Sequence, residues 1–387
     1  MQKKDWPNYS KNLILKINKI LNSGVVNYTT GNNGEKFEKS FSRFVGNKYS
    51  IAICNGTAAL EVAIKSLDLP TNSEIIVPAR SFFSSASCIV NTGHKPIFAD
   101  VDLLTQNISI DDVKKKITKK TKAIICVHLA GLPCNMEGIS KIAKHKKLKI
   151  IEDCSQAHGA SINKKPVGSY GDVSTWSFCN DKIISTLGEG GMISTNKKRI
   201  YQFCKEYINH GTHQKKIKSN KFIYNKNSFG TNLRLTEIQS VAGLEQLKNL
   251  KKTQRKREKM ANNYFRIISQ YKTLLSCYMP PSNIKSAWYR FYFFLNPNNK
   301  NLNKTRFEII KLFKKTKIRC FTGSCPEIYL EKAFVKLKKN KLKRLKNCKI
   351  LGTNSLAIDV NHTLTTYEQK KELSLIKSNL NKVLKIK

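Results

Sequence analysis

Apolar residues fall in short, regularly spaced runs over the first half of the chain. "YSIAICN" (49–55) is almost continuously apolar and β-branched, as a strand buried on both faces requires. "GTAALEVAIKSL" (56–67) follows it, with Leu60, Ala63 and Ile64 at the spacing of one helix face. "EIIVP" (74–78) reads as the next strand, Phe82 to Val90 as a helix, and "KPIFADVD" (95–102) and "KAIICVHLAG" (122–131) as two further strands. "MEGISKIAKHKK" returns to helical spacing, whereas "KIIEDCS" (149–155), "DVSTWSF" and "GGMISTN" read again as strands. Strands alternating with helices predict an α/β fold built on a mostly parallel sheet covered on both faces. In such sheets ligands gather beyond the carboxyl ends of the strands.

From about Lys197 the pattern becomes helical and basic. Residues 236–269, "TEIQSVAGLEQLKNLKKTQRKREKMANNYFRIIS", predict one long helical stretch, with a kink allowed for, linking two domains. Beyond it, "AWYRFYFFL" (287–295) reads as an aromatic strand, and "KTRFEIIKLFKKT" and "TYEQKKELSLIKSNLNKVLK" as amphipathic helices. A chain of 387 residues suits two domains of roughly 100–200 residues each. The expected division is a large α/β domain over residues 1–250 and a smaller α+β domain over 251–387.

Composition narrows the function classes. The 40% hydrophobic share excludes a disordered chain. Lys and Arg number 70 against 26 Asp and Glu, a formal charge of +44. The lysines are dispersed, no basic stripe carries interleaved aromatics, and no nucleic-acid motif is recognisable. The charge is therefore read as solvated surface that would attract an anionic small substrate, with no nucleic-acid partner. Several of the 11 cysteines sit inside apolar runs, Cys54 and Cys126 among them; no second pair joins Cys320 and Cys325 to complete a zinc site. They are expected to be reduced thiols, with no metal. The opening "MQKKDWPNYSKN" lacks the apolar segment of a signal peptide, and no window approaches about 18 uninterrupted apolar residues. A soluble cytoplasmic protein without a membrane partner is expected.

Four stretches carry candidate chemistry. In "NGTAAL" a strand ends, Gly56 turns and Thr57 opens a helix; free N–H groups and a hydroxyl there suit an anion, although an ordinary strand-to-helix turn has the same sequence. In "IIEDCSQAHGA", Asp153 closes a buried strand and needs a partner, either local backbone donors or a protonated ring nitrogen. Lys182, in "SFCNDKIISTLGEGGM", lies one β-like run later, between aromatic residues and Gly188, Gly190 and Gly191. A lysine in a partly dry pocket is expected to have a lowered pKa and to condense with an aldehyde. Ser177 could donate to a phosphate, and the glycines would let backbone approach a bulky ligand. Phe82 could stack on a flat ring or pack in the core. Pyridoxal phosphate needs an anion cradle, an acid at its ring nitrogen, an amine and cover for a flat face.

With these residues in place the chain resembles the DegT/DnrJ/StrS sugar aminotransferases, of the fold-type I pyridoxal phosphate superfamily. The resemblance runs from "YTTGNNGEKFEKSFSRFVGNKYSIAICNGTAALEVAI" through "EIIVPARSFFSSA", "GHKPIFADVD" and "IICVHLAGLPCNM". It is densest from "IIEDCSQAHGA" to "GEGGMISTN" and continues in "FGTNLRLTEIQSVAGLEQL" and "NHTLT". It implies a large domain with a mostly parallel seven-stranded sheet between helices, a smaller α+β C-terminal domain, and pyridoxal phosphate as cofactor. It implies that Lys182 is the Schiff-base lysine, Asp153 the partner of the pyridine nitrogen, and Gln156 the neighbour of the ring hydroxyl. Gly56, Thr57 and Ser177 would cradle the phosphate, Phe82 would stack, and Asn232 would reach the phosphate of a neighbouring subunit, so that a homodimer shares its sites.

Asn55, Arg80 and Asn180 are less typical of the family; Arg80 and Asn180 bear on the substrate pocket. His210, Arg234 and His362 are candidate substrate residues. The resemblance implies transfer of an amino group from L-glutamate to a nucleotide-linked keto sugar, for surface polysaccharide. A dehydratase branch is implied to carry histidine where Lys182 stands; that branch and a non-catalytic cofactor-binding regulator are the alternatives.

Overall fold

The structure is a computed structural model and describes residues 6–212, 226–298, 301–337 and 343–385. Seven strands form its main sheet: β1 (Tyr49–Ile53), β2 (Glu74–Pro78), β3 (Lys95–Ala99), β4 (Thr121–Val127), β5 (Lys149–Asp153), β6 (Val173–Ser177) and β7 (Gly191–Thr195). Their spatial order is β1-β7-β6-β5-β4-β2-β3. Every pairing among β2 to β6 is parallel, and β7 alone runs antiparallel, between β1 and β6. The expected α/β architecture is therefore present. Side chains on both faces are buried in separate apolar clusters: Ile51, Ile53, Ile75, Val77, Ile125 and Ile151 enter one, and Ile76, Ile124 and Cys126 another.

Strand order places the carboxyl ends of β1, β5 and β6 and the start of β7 along one edge. The helix that follows β1 begins at Gly56, capped by Asn55, whose Oδ1 accepts from Ala58 N at 2.8 Å. The helix expected from Phe82 begins two residues later, at Ser84–Asn91, and leaves the ring of Phe82 outside it, 65% exposed.

A second, antiparallel sheet follows the long helix: β8 (Leu275–Cys277), β9 (Arg290–Leu295), β10 (Cys320–Phe321) and β11 (Ser355–Asp359), in the order β8-β9-β11-β10. Strand β9 shows why its sequence is so aromatic. Alternate residues Phe291, Phe293 and Leu295 pack with Ile309, Phe313, Ile376 and Leu380 of two helices, while Tyr292 and Phe294 join the cluster of the main sheet. The linking helix, Glu237–Ile268, is 32 residues long and unbroken, without the kink allowed for from sequence. Thr236 and Gln239 close a capping box at its start.

The few acids are used in the interior. The Glu237 carboxylate receives N–H groups from Asn32 (3.1 Å), Asn33 (2.9 Å) and Gly34 (3.0 Å) at the start of the Asn33–Val45 helix. Glu152 receives Gly168 N, Tyr170 N and Gly171 N at 2.7–2.8 Å, and lies 3.1 Å from His128 Nε2. His128, Glu152 and Cys154 bring potential metal ligands together. However, Cys134 N donates to His128 Nδ1 at 3.0 Å, and backbone donors already occupy Glu152. The trio is therefore a satisfied brace. All eleven cysteines are free. Among the described residues no helix is long and apolar enough to cross a membrane.

Replacing Glu237 by Ala leaves three helix-start donors without their anion. The expected cost is about 2–3 kcal/mol, read as a lower urea midpoint with an unchanged slope; a midpoint within error of the parent would refute this role.

Candidate active site

The carboxyl edge gathers most of the residues singled out from sequence. A Cβ added at Gly56 would lie 2.7 Å from Ser177 Cβ, so the helix start after β1 lies directly against the last residue of β6. Asp153 pairs in register with Thr175 of β6. Its carboxylate is buried and held by Ser85 Oγ at 2.9 Å and Ser155 N at 3.1 Å, with Ser81 bonded in turn to Ser85 at 3.0 Å. Gln156 is fixed by Ala130 N, which donates to its Oε1 at 2.7 Å.

Lys182 sits in a loop pinched at its base. Phe178 N donates to Gly190 O at 2.7 Å and Thr186 N to Phe178 O at 3.0 Å. The glycine cluster serves this closure. A Cβ at Gly190 would collide with Thr186, one at Gly191 would lie 2.6 Å from Asn55 O, and Gly188 has φ +118°. At Gly190 and Gly191 the close approach is thus of chain to chain, whereas a Cβ at Gly188 would meet nothing within 4 Å. Residues near the amino end clasp the same loop: Trp6 Nε1 donates to Lys182 O at 2.8 Å, and Tyr9 bonds Ser185 Oγ and Leu187 N.

The Lys182 amine donates to Tyr289 Oη at 3.2 Å and lies 3.4 Å from Asp181 Oδ1. Burial pulls its pKa down, but Tyr289 and Asp181 more than offset this, and the amine is held above the ordinary lysine value. This corrects the lowered value expected from sequence, which considered burial without the partners. Tyr289 Oη also donates to Asp181, and Arg290 lies 3.4 Å from Asp181 and 3.0 Å from Asp359.

The remaining candidates are placed as follows. Thr57, Asn180, His210 and Asn232 are exposed, and an isolated backbone bridge joins Asn232 to Asn209. Arg234 donates to Asn209 Oδ1 at 2.6 Å. His362 is 5% exposed, its ring centroid 4.6 Å from that of Trp6. Arg80 is fully buried; it donates to Gln106 and Ser355 at 2.9 Å each, lies over the Tyr292 ring and so reaches the second sheet. Sequence reasoning missed Trp6, Asp181, Tyr289 and Arg290. Asp181, adjacent to Lys182, carried a visible signal; the others meet the loop only through the fold.

The profile of the DegT/DnrJ/EryC1/StrS aminotransferase family matches residues 7–376. The chain belongs to this family. It is 40% identical over 233 residues to GDP-perosamine synthase of Escherichia coli O157:H7, a match covering 60% of this chain and 61% of that protein. The aminotransferase from Psychrobacter cryohalolentis superposes with a TM-score of 0.93 at 37% identity, covering 98% of this chain and 99% of that one. An E. coli GDP-4-keto-6-deoxy-D-mannose-3-dehydratase solved with bound hydrated PLP superposes with a TM-score of 0.84 at 25% identity, covering 96% and 98%.

Two buried histidines flank this region. Burial, with Lys182 and Arg257 nearby, lowers the pKa of His158 to about 3; burial, with Arg257 and Lys256, does the same for His362. Both rings are neutral in the fold and protonate more readily when it opens. Stability should therefore fall as pH drops through the unfolded value near 6.5, by about 2 kcal/mol per histidine at pH 5. Urea midpoints at pH 7 and pH 5 check this, and His158→Gln should flatten the difference. Equal midpoints at the two pH values would contradict it.

Proposed function

We propose that this protein is a pyridoxal phosphate-dependent aminotransferase that moves an amino group from L-glutamate to a keto deoxysugar carried on a nucleotide. The product would be an amino sugar nucleotide for surface polysaccharide, of the O-antigen kind, made in the cytoplasm. The observation that carries this reading is Lys182: a family match across the chain, with a largely buried amine in the loop beyond the sheet's carboxyl edge. The curated relative's match spans only 61% of its length, so its GDP-linked sugar supports the substrate class and not the particular sugar.

The residues present fit the cofactor. Gly56 and Thr57 open a helix against Ser177, giving backbone and hydroxyl donors for a phosphate. The exposed Phe82 ring is free to cover a flat face. Pyridoxal phosphate, when bound, supplies a carbonyl that captures amines and a ring that takes up the electron pair released at the substrate carbon. Asp153, held by Ser85 and Ser155 N, would keep a proton on the ring nitrogen. Gln156, fixed by Ala130 N, would lie beside the ring hydroxyl. Lys182, when free, would take the proton from the substrate carbon next to nitrogen and deliver it to the cofactor carbon that had carried the carbonyl.

Asn232 would complete the phosphate site from a neighbouring subunit. Its exposure and that of Phe229, 99% exposed, support a homodimer with shared sites. His210, Arg234 and His362 contribute to sugar nucleotide recognition, His362 through Trp6.

A panel of keto sugar nucleotides incubated with glutamate and analysed by mass spectrometry tests the reading. Nitrogen should appear in one sugar product, and Lys182→Ala should reduce turnover by at least about 10⁴-fold. A product that loses water and gains no nitrogen would identify the dehydratase alternative. A protein that exchanges nothing with glutamate would be the regulator instead.

A further inference from the structure

We propose that Tyr289, entering β9 of the second sheet, is a positioning residue: with Asp181 it forms a seat that holds the Lys182 amine whenever that amine has no carbonyl partner. The proposal rests on the reading of Lys182 given above, and it assigns a role to a residue more than a hundred positions away in sequence.

The geometry is specific. Tyr289 is 5% exposed. Its hydroxyl accepts from the Lys182 amine at 3.2 Å and donates to Asp181, and the amine lies 4.9 Å from the ring centroid. One hydroxyl thus joins the ammonium to the carboxylate, and the ring face adds a cation–π contact. Tyr289 is itself rigidly set. Its backbone N–H donates to Ala130 O at 2.9 Å, and Ala287 N donates to Gly131 O at 2.9 Å. The preceding residue, Trp288, is held at φ +50°, a conformation that side chains other than glycine seldom adopt. Ala130 N bonds Gln156, so the turn that seats Tyr289 also seats a proposed cofactor contact. Behind Tyr289, the Arg290 guanidinium lies 4.1 Å from its ring centroid and pairs with Asp359.

The amine therefore has two positions: one against Tyr289 and Asp181, and one on the carbonyl it condenses with. The charged and titratable groups around it are Asp181 and Cys179 on its own loop, Tyr289 just before β9, and His158; Arg290 stands behind Tyr289 and Asp181, and Arg257 behind His158 and Tyr289. In the first position the charged form is favoured, because a carboxylate and a hydroxyl oxygen receive it. The seat keeps a proton on the amine and so keeps it from reacting; only the fraction that has given that proton to water can condense with a carbonyl.

The test uses the full-length chain prepared without any vitamin B6 compound. Trace acylation with acetic anhydride across pH 6–11, with the Lys182 peptide quantified by mass spectrometry, reports how readily the amine gives up its proton. In Tyr289→Phe, which keeps the ring and removes the hydroxyl, the midpoint for Lys182 should fall by about one pH unit, roughly tenfold more acylation at pH 8. Asp181→Asn should shift it the same way, and the double variant by less than the sum of the two. A folded Tyr289→Phe protein with the parent's profile overturns the proposal; if that variant does not fold, an unchanged profile in Asp181→Asn overturns it. The measurement needs neither cofactor nor sugar. A shifted profile without amino transfer would leave the seat standing and remove the aminotransferase reading, and transfer with an unshifted profile would do the reverse.

Discussion

Two backbone hydrogen bonds of 2.9 Å, from Ala287 N to Gly131 O and from Tyr289 N to Ala130 O, fasten the second sheet to the lip of the first. The rest of the site depends on that seam. On one side of it Ala130 N holds Gln156; on the other Tyr289 meets Lys182 and Arg290 meets Asp181. The seam is crowded: a Cβ at Gly131 would lie 2.9 Å from Trp288 N. Arg80 reinforces the junction from deeper in the core, bonded to Gln106 on one side and Ser355 on the other. The residues expected to handle the cofactor come from the main sheet, but the groups that set the state of its lysine come from both.

Much of this fold was legible in the chain. The strands have apolar runs because both faces of the main sheet are covered, and the boundaries of β1, β2 and β5 fall within the runs that predicted them. Lys182 stood out because a glycine-rich loop beside aromatic residues is an unusual place for a lysine. Its ionisation was misread because burial can be inferred from neighbours in sequence, whereas Tyr289, 107 positions away, cannot. The glycines were read as making room for a ligand. In the fold Gly190 and Gly191 make room for Thr186 and Asn55, contacts that close the loop and that local sequence does not announce. Trp6 and Tyr9 were not recognised at all, since only the folded chain brings them against residues 182–187.

The scarcity of acids has its own logic. Of 26 acidic residues in the chain, Glu38, Glu152 and Glu237 are almost fully buried, each bonded to main-chain N–H groups. Glu38 also receives Lys205 and Tyr28. Carboxylates used in this way tie strand, turn and helix ends together from inside.

The helix Glu237–Ile268 is about 48 Å long at 1.5 Å per residue. Val241 and Ala242 near one end pack on Leu13, and Met260, Tyr264 and Ile268 at the other enter the core of the second sheet. A continuous strut anchored in both bodies resists bending, so swinging them apart would require breaking its hydrogen-bond ladder. Admission of a bulky guest then falls to the surrounding loops. Such a scaffold can change its choice of guest by rewriting those loops, with no joint to retune.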